Sequence, residues 1–97
     1  MAKAYWIGCY RSVSNPAALA AYAKLAGSAI ESAGGRFLAR GGVEKTFEAG
    51  ISERTVLVEF ESVEKATAAY QSDAYRAALA LLEGAAERDI RIVRGVD

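Results

Sequence analysis

An α+β fold, a four-stranded antiparallel sheet with two helices on one face, is predicted for this 97-residue chain by three observations. Short β-branched and aromatic runs alternate with two longer stretches of three- and four-residue apolar spacing. Pro, Gly and Ser fall at the joints between them. The runs at 3–11 and 54–62 are apolar on both faces, which calls for a sheet covered on both sides.

Each element follows from local chemistry. Residues 3–11, KAYWIGCYR, are too short for a typical helix and rich in strand formers, so they read as the first strand. Asn15-Pro16 opens a helix, with Asn15 as N-cap and Pro16 at the first helical position, where its missing N–H costs nothing. Leu19, Tyr22, Ala23, Ala26, Ile30 and Ala33 form its apolar stripe; Lys24, Ser28 and Glu31 turn away. Gly34 supplies the left-handed residue that ends it. The stretch GGRFLARGG at 34–42 reads as the second strand, continuing to about Ala49, with Gly41-Gly42 either a turn or, as preferred here, a bulge. EAGISE at 48–53 is the turn into a third strand, RTVLVEFES. Ser62 caps a second helix carrying Val63, Ala66, Ala69 and Tyr70 on one face. QSD interrupts it at 71–73, where Ser72 can recap a segment with Tyr75, Leu79 and Leu82 aligned. Gly84 closes that segment and RDIRIVRG is the last strand. The order β-α-β-β-α-β is the ferredoxin-like arrangement of a single domain over 1–97.

Two helices cover one face only. Tyr5, Ile7 and Cys9 oppose Trp6 and Tyr10 on the first strand, and Leu57 opposes Val56, Val58 and Phe60 on the third. The same face of a second copy is the economical cover, so a homodimer is expected; a domain this small gains useful burial by it. Twelve basic and twelve acidic residues cancel, which removes the electrostatic footprint of a nucleic-acid or anionic-membrane partner. No run reaches the length of a membrane span and no secretory leader is seen, so a cytoplasmic location is expected. The single cysteine, Cys9, reads as a small buried hydrophobe.

GGRFLARGG, RTVLVEFES and AYQSDAYRAAL together resemble a bacterial family called domain of unknown function 1330, of the dimeric α+β barrel superfamily. The resemblance covers nearly the whole chain. It implies two back-to-back sheets in a dimer and a cleft in each subunit between helices and sheet, and it implies no particular reaction.

The arginines of the second strand bear on what that cleft could hold. On an ideal strand Arg36 and Arg40 share one face, about 13 Å apart at ~3.3 Å per residue, and Arg54 begins the neighbouring strand. A guanidinium keeps its proton, so if buried it needs an anionic or carbonyl partner: Glu44, Glu59, Glu61, the partner chain, or a ligand. Tyr22, Tyr70 and Tyr75 lie on the inward helix faces, as core residues or as polar handles over a mostly apolar pocket. Tyr22, Arg36, Arg40, Arg54, Tyr70 and Tyr75 are therefore the candidate ligand-binding residues.

Other chemistries lack their residues. Without histidine and with scattered carboxylates no metal centre is expected, and no cofactor; Ser72 has no triad base and reads as a cap. The glycine pairs match neither G-x-G-x-x-G nor the Walker pattern. An RNA-recognition module shares the strand order, but TVLVEF lacks its basic and Gly-aromatic pattern. Two functions remain in view. One is a cofactor-independent enzyme acting on a small organic acid or carbonyl compound, with Tyr22 or Tyr70 handling a proton and Arg36 or Arg40 stabilising charge. The other is a non-catalytic dimeric ligand-binding or stress-associated protein.

Overall fold

A computed structural model, which describes residues 2–96, has seven elements. They are β1 (Ala4–Val13), α1 (Pro16–Ser32), β2 (Arg36–Gly41), β3 (Thr55–Phe60), α2 (Val63–Gln71), α3 (Asp73–Leu82) and β4 (Ala86–Arg94). The strands form one antiparallel sheet in the order β2-β3-β1-β4, with β1 and β3 inside. The second helical stretch is two helices that meet at Ser72.

The ends of the helices are chemically determined. Asn15 Oδ1 accepts from the Ala18 N–H at 3.1 Å, Ser62 Oγ from Lys65 at 3.1 Å and Ser72 Oγ from Tyr75 at 3.2 Å, each satisfying an otherwise orphaned donor. At the C-terminus of α1, Gly34 takes φ 95° and donates to the Glu31 carbonyl while Gly35 donates to that of Ile30. This paired closure turns the chain into β2. Gly35 also lies where a Cβ would sit 2.6 Å from Ile30 Cγ2 and 2.8 Å from Phe60 Cζ, so the close approach of chain to core demands glycine.

The core lies between helices and sheet. Ala4, Trp6, Val58 and Phe60 of the inner strands pack against Tyr22, Ala26 and Ile30 of α1, Ala66 and Ala69 of α2, and Tyr75, Ala78 and Leu82 of α3. The opposite face carries Tyr5, Ile7, Cys9 and Leu57, none fully buried in the single chain. Cys9, expected to be buried, is half-buried on this outer face between Thr55 and Asp89, where it alternates with the inward Gly8 and Tyr10. Leu38, Val93, Phe47 and Ile51 are exposed apolar side chains, Phe47 at 78%.

The second strand is shorter than its sequence suggests. Its register with β3 runs from Arg36↔Glu59 to Gly41↔Thr55, and there β3 begins. Beyond Gly41 nothing remains to pair with, so residues 42–54 are an irregular connection instead of a strand reaching Ala49. The register slips at Leu38, between Phe37↔Val58 and Ala39↔Leu57, and the bulge expected at Gly41-Gly42 is therefore here.

Candidate functional site: an arginine and tyrosine cleft

That bulge decides where the two arginines of GGRFLARGG point. One extra residue in a strand moves every later side chain to the other face. Arg36 accordingly lies on the outer face, where its Nη2 donates to Glu59 Oε1 at 3.0 Å. Arg40, opposite the inward Val56, turns toward the helices. The expectation that both guanidinium groups share a face fails for this reason.

Arg40 crosses from β2 to α1. Its Nη2 donates to the Ala23 carbonyl at 2.7 Å, and its Cζ lies 4.4 Å from the centre of the Phe37 ring. The helix admits it because Gly27 has no side chain: a Cβ there would be 3.2 Å from Arg40 Nη1. Behind Arg40 is a cavity of about 20 Å³, lined chiefly by Trp6, Tyr10, Tyr22, Phe37, Arg54 and Arg88, with Arg40 itself on its wall. This volume holds about one water, so a larger occupant requires the exposed Arg40 side chain to move.

Arg88, on β4, organises the polar end. Its Nη1 donates to Tyr22 Oη at 2.9 Å and its Nη2 reaches Tyr75 Oη at 3.4 Å, while the two tyrosine oxygens are 2.6 Å apart. Its Cζ lies 5.5 Å and 5.1 Å from the ring centres of Tyr10 and Tyr22. Tyr75 is 0% exposed, and its hydroxyl proton has one acceptor, Tyr22. Tyr22 Oη accepts from Arg88, and either tyrosine can be the donor in the contact between the two hydroxyls. Arg54 Nε is buried without a hydrogen-bond partner.

The electrostatics are one-sided. Among the described residues no carboxylate forms an ion pair with Arg40, Arg54 or Arg88. Burial, together with the neighbouring Tyr75, pushes the Tyr22 phenol well above the usual tyrosine range, with Arg88 opposing. Burial likewise raises Tyr75 and Tyr10, again against Arg88. For Arg88 burial disfavours the charge, but Tyr22 and Tyr75 outweigh it and the guanidinium is held more firmly protonated than usual. At neutral pH the site is thus cationic guanidinium and neutral phenol, a set of donors suited to negative charge on oxygen.

Of the residues singled out from the sequence, Tyr22, Arg40 and Arg54 line the cavity and Tyr75 supports it through Tyr22. Arg36 is on the other face. Tyr70 packs at a tilt against Trp6 and Tyr75, at 5.5 Å and 5.2 Å between ring centres, and opens instead toward Thr67, Ile90 and Ile92. Sequence reasoning missed Arg88 and Tyr10 as site residues. The alternation of RDIRIVRG with Ile90 and Ile92 inward was the available signal for Arg88, since residue 88 shares their face. No group of three or more histidine, cysteine or carboxylate side chains is placed to hold a metal ion, and no helix is long and apolar enough to cross a membrane, among the described residues.

The sequence profile of the domain of unknown function 1330 matches residues 3–96. No curated protein matches the chain. Among solved structures, a protein of unknown function from Rhodopseudomonas palustris is 16% identical, with 99% of this chain and 84% of that one aligned at a TM-score of 0.76. A protein from Caulobacter crescentus, named provisionally as an antibiotic biosynthesis monooxygenase, is 16% identical over 99% of this chain and 92% of its own, at 0.66. A dimeric ferredoxin-like protein of unknown function from Thermobifida fusca is 15% identical over 96% and 91%, at 0.58. These likenesses are of fold: the chain has the ferredoxin-like α+β architecture.

Proposed function

Starting from a chain that belongs to the family of the domain of unknown function 1330, we propose a homodimeric small-molecule protein. Its cleft between helices and sheet holds a small organic acid or carbonyl compound, on which it acts as a cofactor-independent enzyme. The observation that carries this reading is the convergence of Arg40, Arg54 and Arg88 on one cavity without a carboxylate. Partly desolvated like charges with no counter-charge cost stability, and an anionic ligand is the partner they lack. Negative charge developing on a carbonyl oxygen there would meet guanidinium groups and the Tyr22 hydroxyl, which is preorganised stabilisation of an oxyanion. The dimer is supported by the apolar outer face with Leu57 and Val93, and by the dimeric state of the Thermobifida fusca protein.

A second reading, non-catalytic ligand binding in the same cleft, is favoured by the absence of histidine from the sequence and of any lysine or carboxylate from the cavity lining, which leaves no base at neutral pH. Thermal denaturation with small carboxylates tests binding. At about 100 times its dissociation constant a carboxylate adds about 2.7 kcal/mol of stability, and the matching neutral amide much less. Arg40→Lys, which keeps the charge and loses the planar fork, weakens the response. Absence of any shift across a broad carboxylate screen would remove the ligand site, and unchanged ligand recovered after prolonged incubation would favour the second reading.

A further inference from the structure

Arg40 differs from Arg54 and Arg88 in being an exposed residue whose charged head is nevertheless docked. It projects from the edge strand β2, and its guanidinium rests on α1 over Gly27. Ala23 and Gly27 are four residues apart and so share one face of that helix, the first offering a carbonyl and the second a gap. A Cβ at position 27 would stand 3.2 Å from Nη1, 3.4 Å from Nη2 and 3.7 Å from Cζ, so the whole guanidinium occupies the place that a side chain there would take. Phe37, also on β2, supplies the other contact of the head, at 4.4 Å.

These contacts are few and close to solvent. Water replaces an exposed hydrogen bond once it breaks, and a released arginine regains rotamer freedom, so the docked position is favoured only modestly. The same head walls off a cavity that admits a water and nothing larger. Lifted from α1, it leaves that cavity open between α1 and β2. Resting on the reading that the cleft holds a small molecule, we infer that Arg40 is the gate of the cleft, latched on the Ala23 carbonyl and seated on Gly27, and that any occupant larger than water enters when the guanidinium lifts. Gly27 therefore serves closure. Alanine would suit the middle of a helix better, but its methyl group would take the seat.

The single tryptophan of the chain reports on the gate. Trp6 is 2% exposed and lines the cavity, so a quencher reaches it through the mouth that Arg40 closes. Trp6 fluorescence is titrated in parallel with acrylamide, iodide and caesium. Acrylamide quenching is weak in the unaltered protein and rises severalfold in Arg40→Ala. Gly27→Ala gives a smaller rise in the same direction, with a denaturation midpoint no lower than that of the unaltered protein. Arg36→Ala, on the outer face of the same strand, leaves quenching unchanged. Should Arg40→Ala fail to fold, Gly27→Ala carries the test. Equal acrylamide quenching in the unaltered protein and both gate variants overturns the inference, as does a rise in Gly27→Ala that comes with a lowered midpoint, since general loosening then explains it. The guanidinium groups remain in Gly27→Ala, so acrylamide entry with iodide quenching no better than caesium supports the gate and counts against an anion. Carboxylates that raise the melting temperature while quenching stays equal in every variant overturn the gate and leave the anion reading standing.

Discussion

Arginines occur on both faces of this sheet, and the company they keep differs. On the outer face Arg36 pairs with Glu59 at 3.0 Å, Arg91 with Asp89 at 2.8 Å, and Arg11 with Asp89 at 3.6 Å. On the helix face Arg40, Arg54 and Arg88 pair with no acid and turn to a carbonyl, to two phenols, or, for Arg54 Nε, to nothing. Exposed pairs contribute little to stability, roughly 0 to 1 kcal/mol, so the outer arginines are cheap to keep. Of the inner ones, Arg54 and Arg88 are partly buried and carry a desolvation cost, while Arg40 is exposed. A protein selected for stability alone would place them the other way round, and the inner cluster therefore points to a ligand.

The packing of the two faces gives the largest expected contrast. Phe60 is 1% exposed and lies on the helix side, so Phe60→Ala lowers stability by about 3 to 5 kcal/mol in chemical denaturation. Leu57, on the outer face and only partly buried, loses less in the single chain when changed to alanine, and weakens the proposed dimer as well. A Leu57→Ala variant as damaging as Phe60→Ala, with its assembly unchanged, would show that the outer face is already closed within one chain.

A smaller contrast comes from hydroxyl groups. Tyr75→Phe removes one partner of the buried hydroxyl pair with Tyr22 and costs about 1 to 3 kcal/mol. Tyr5→Phe removes a long 3.4 Å contact to Glu59 near solvent and stays within about 0.5 kcal/mol. Equal denaturation midpoints for these two variants would mean that the buried hydroxyl pair carries no net stability.

The faces should also fail at opposite ends of the pH scale. Hydrogen bonds from Arg36, followed by Lys3, hold Glu59 below the usual carboxylate range, and Arg91 does the same for Asp89. A depressed pKa contributes stability that is present above the unfolded value and lost as pH falls through the folded one, so the outer pairs are lost in acid. Tyr10, Tyr22 and Tyr75 are raised above 10.0, and their contribution is complete below that value and lost as pH rises beyond it. Ultraviolet titration should therefore show these three of the five tyrosines ionising late, with unfolding. Five tyrosines titrating together near pH 10 would contradict the buried network.

Much of the fold was legible because its signals are local. Asn15-Pro16, Ser62, Ser72 and Gly34 each mark a helix end by satisfying particular backbone groups, and the structure uses every one. The site was less legible because its decisive feature, the extra residue at Leu38, is a property of pairing with β3 and leaves no mark in the run RFLAR. Ideal alternation put Arg40 beside Arg36, and the slip put it beside Tyr22 and Arg54. The length of β2 was misjudged for a related reason: VEKTFEAG has strand-like residues, but pairing ends where β3 begins.

Equilibrium denaturation of Arg54→Met and Arg36→Met, without ligand and side by side, tests the account most directly. Methionine keeps much of the apolar stem in both. Removing the unpaired buried Nε of Arg54 and one of three like charges should raise stability by about 1 kcal/mol or more, while removing the outer partner of Glu59 should lower it by up to about 1 kcal/mol. Opposite signs are the predicted result. If Arg54→Met instead loses as much stability as Arg36→Met or more, the inner arginine is a structural member of the fold, and the claim that the cleft is kept for an anion is contradicted.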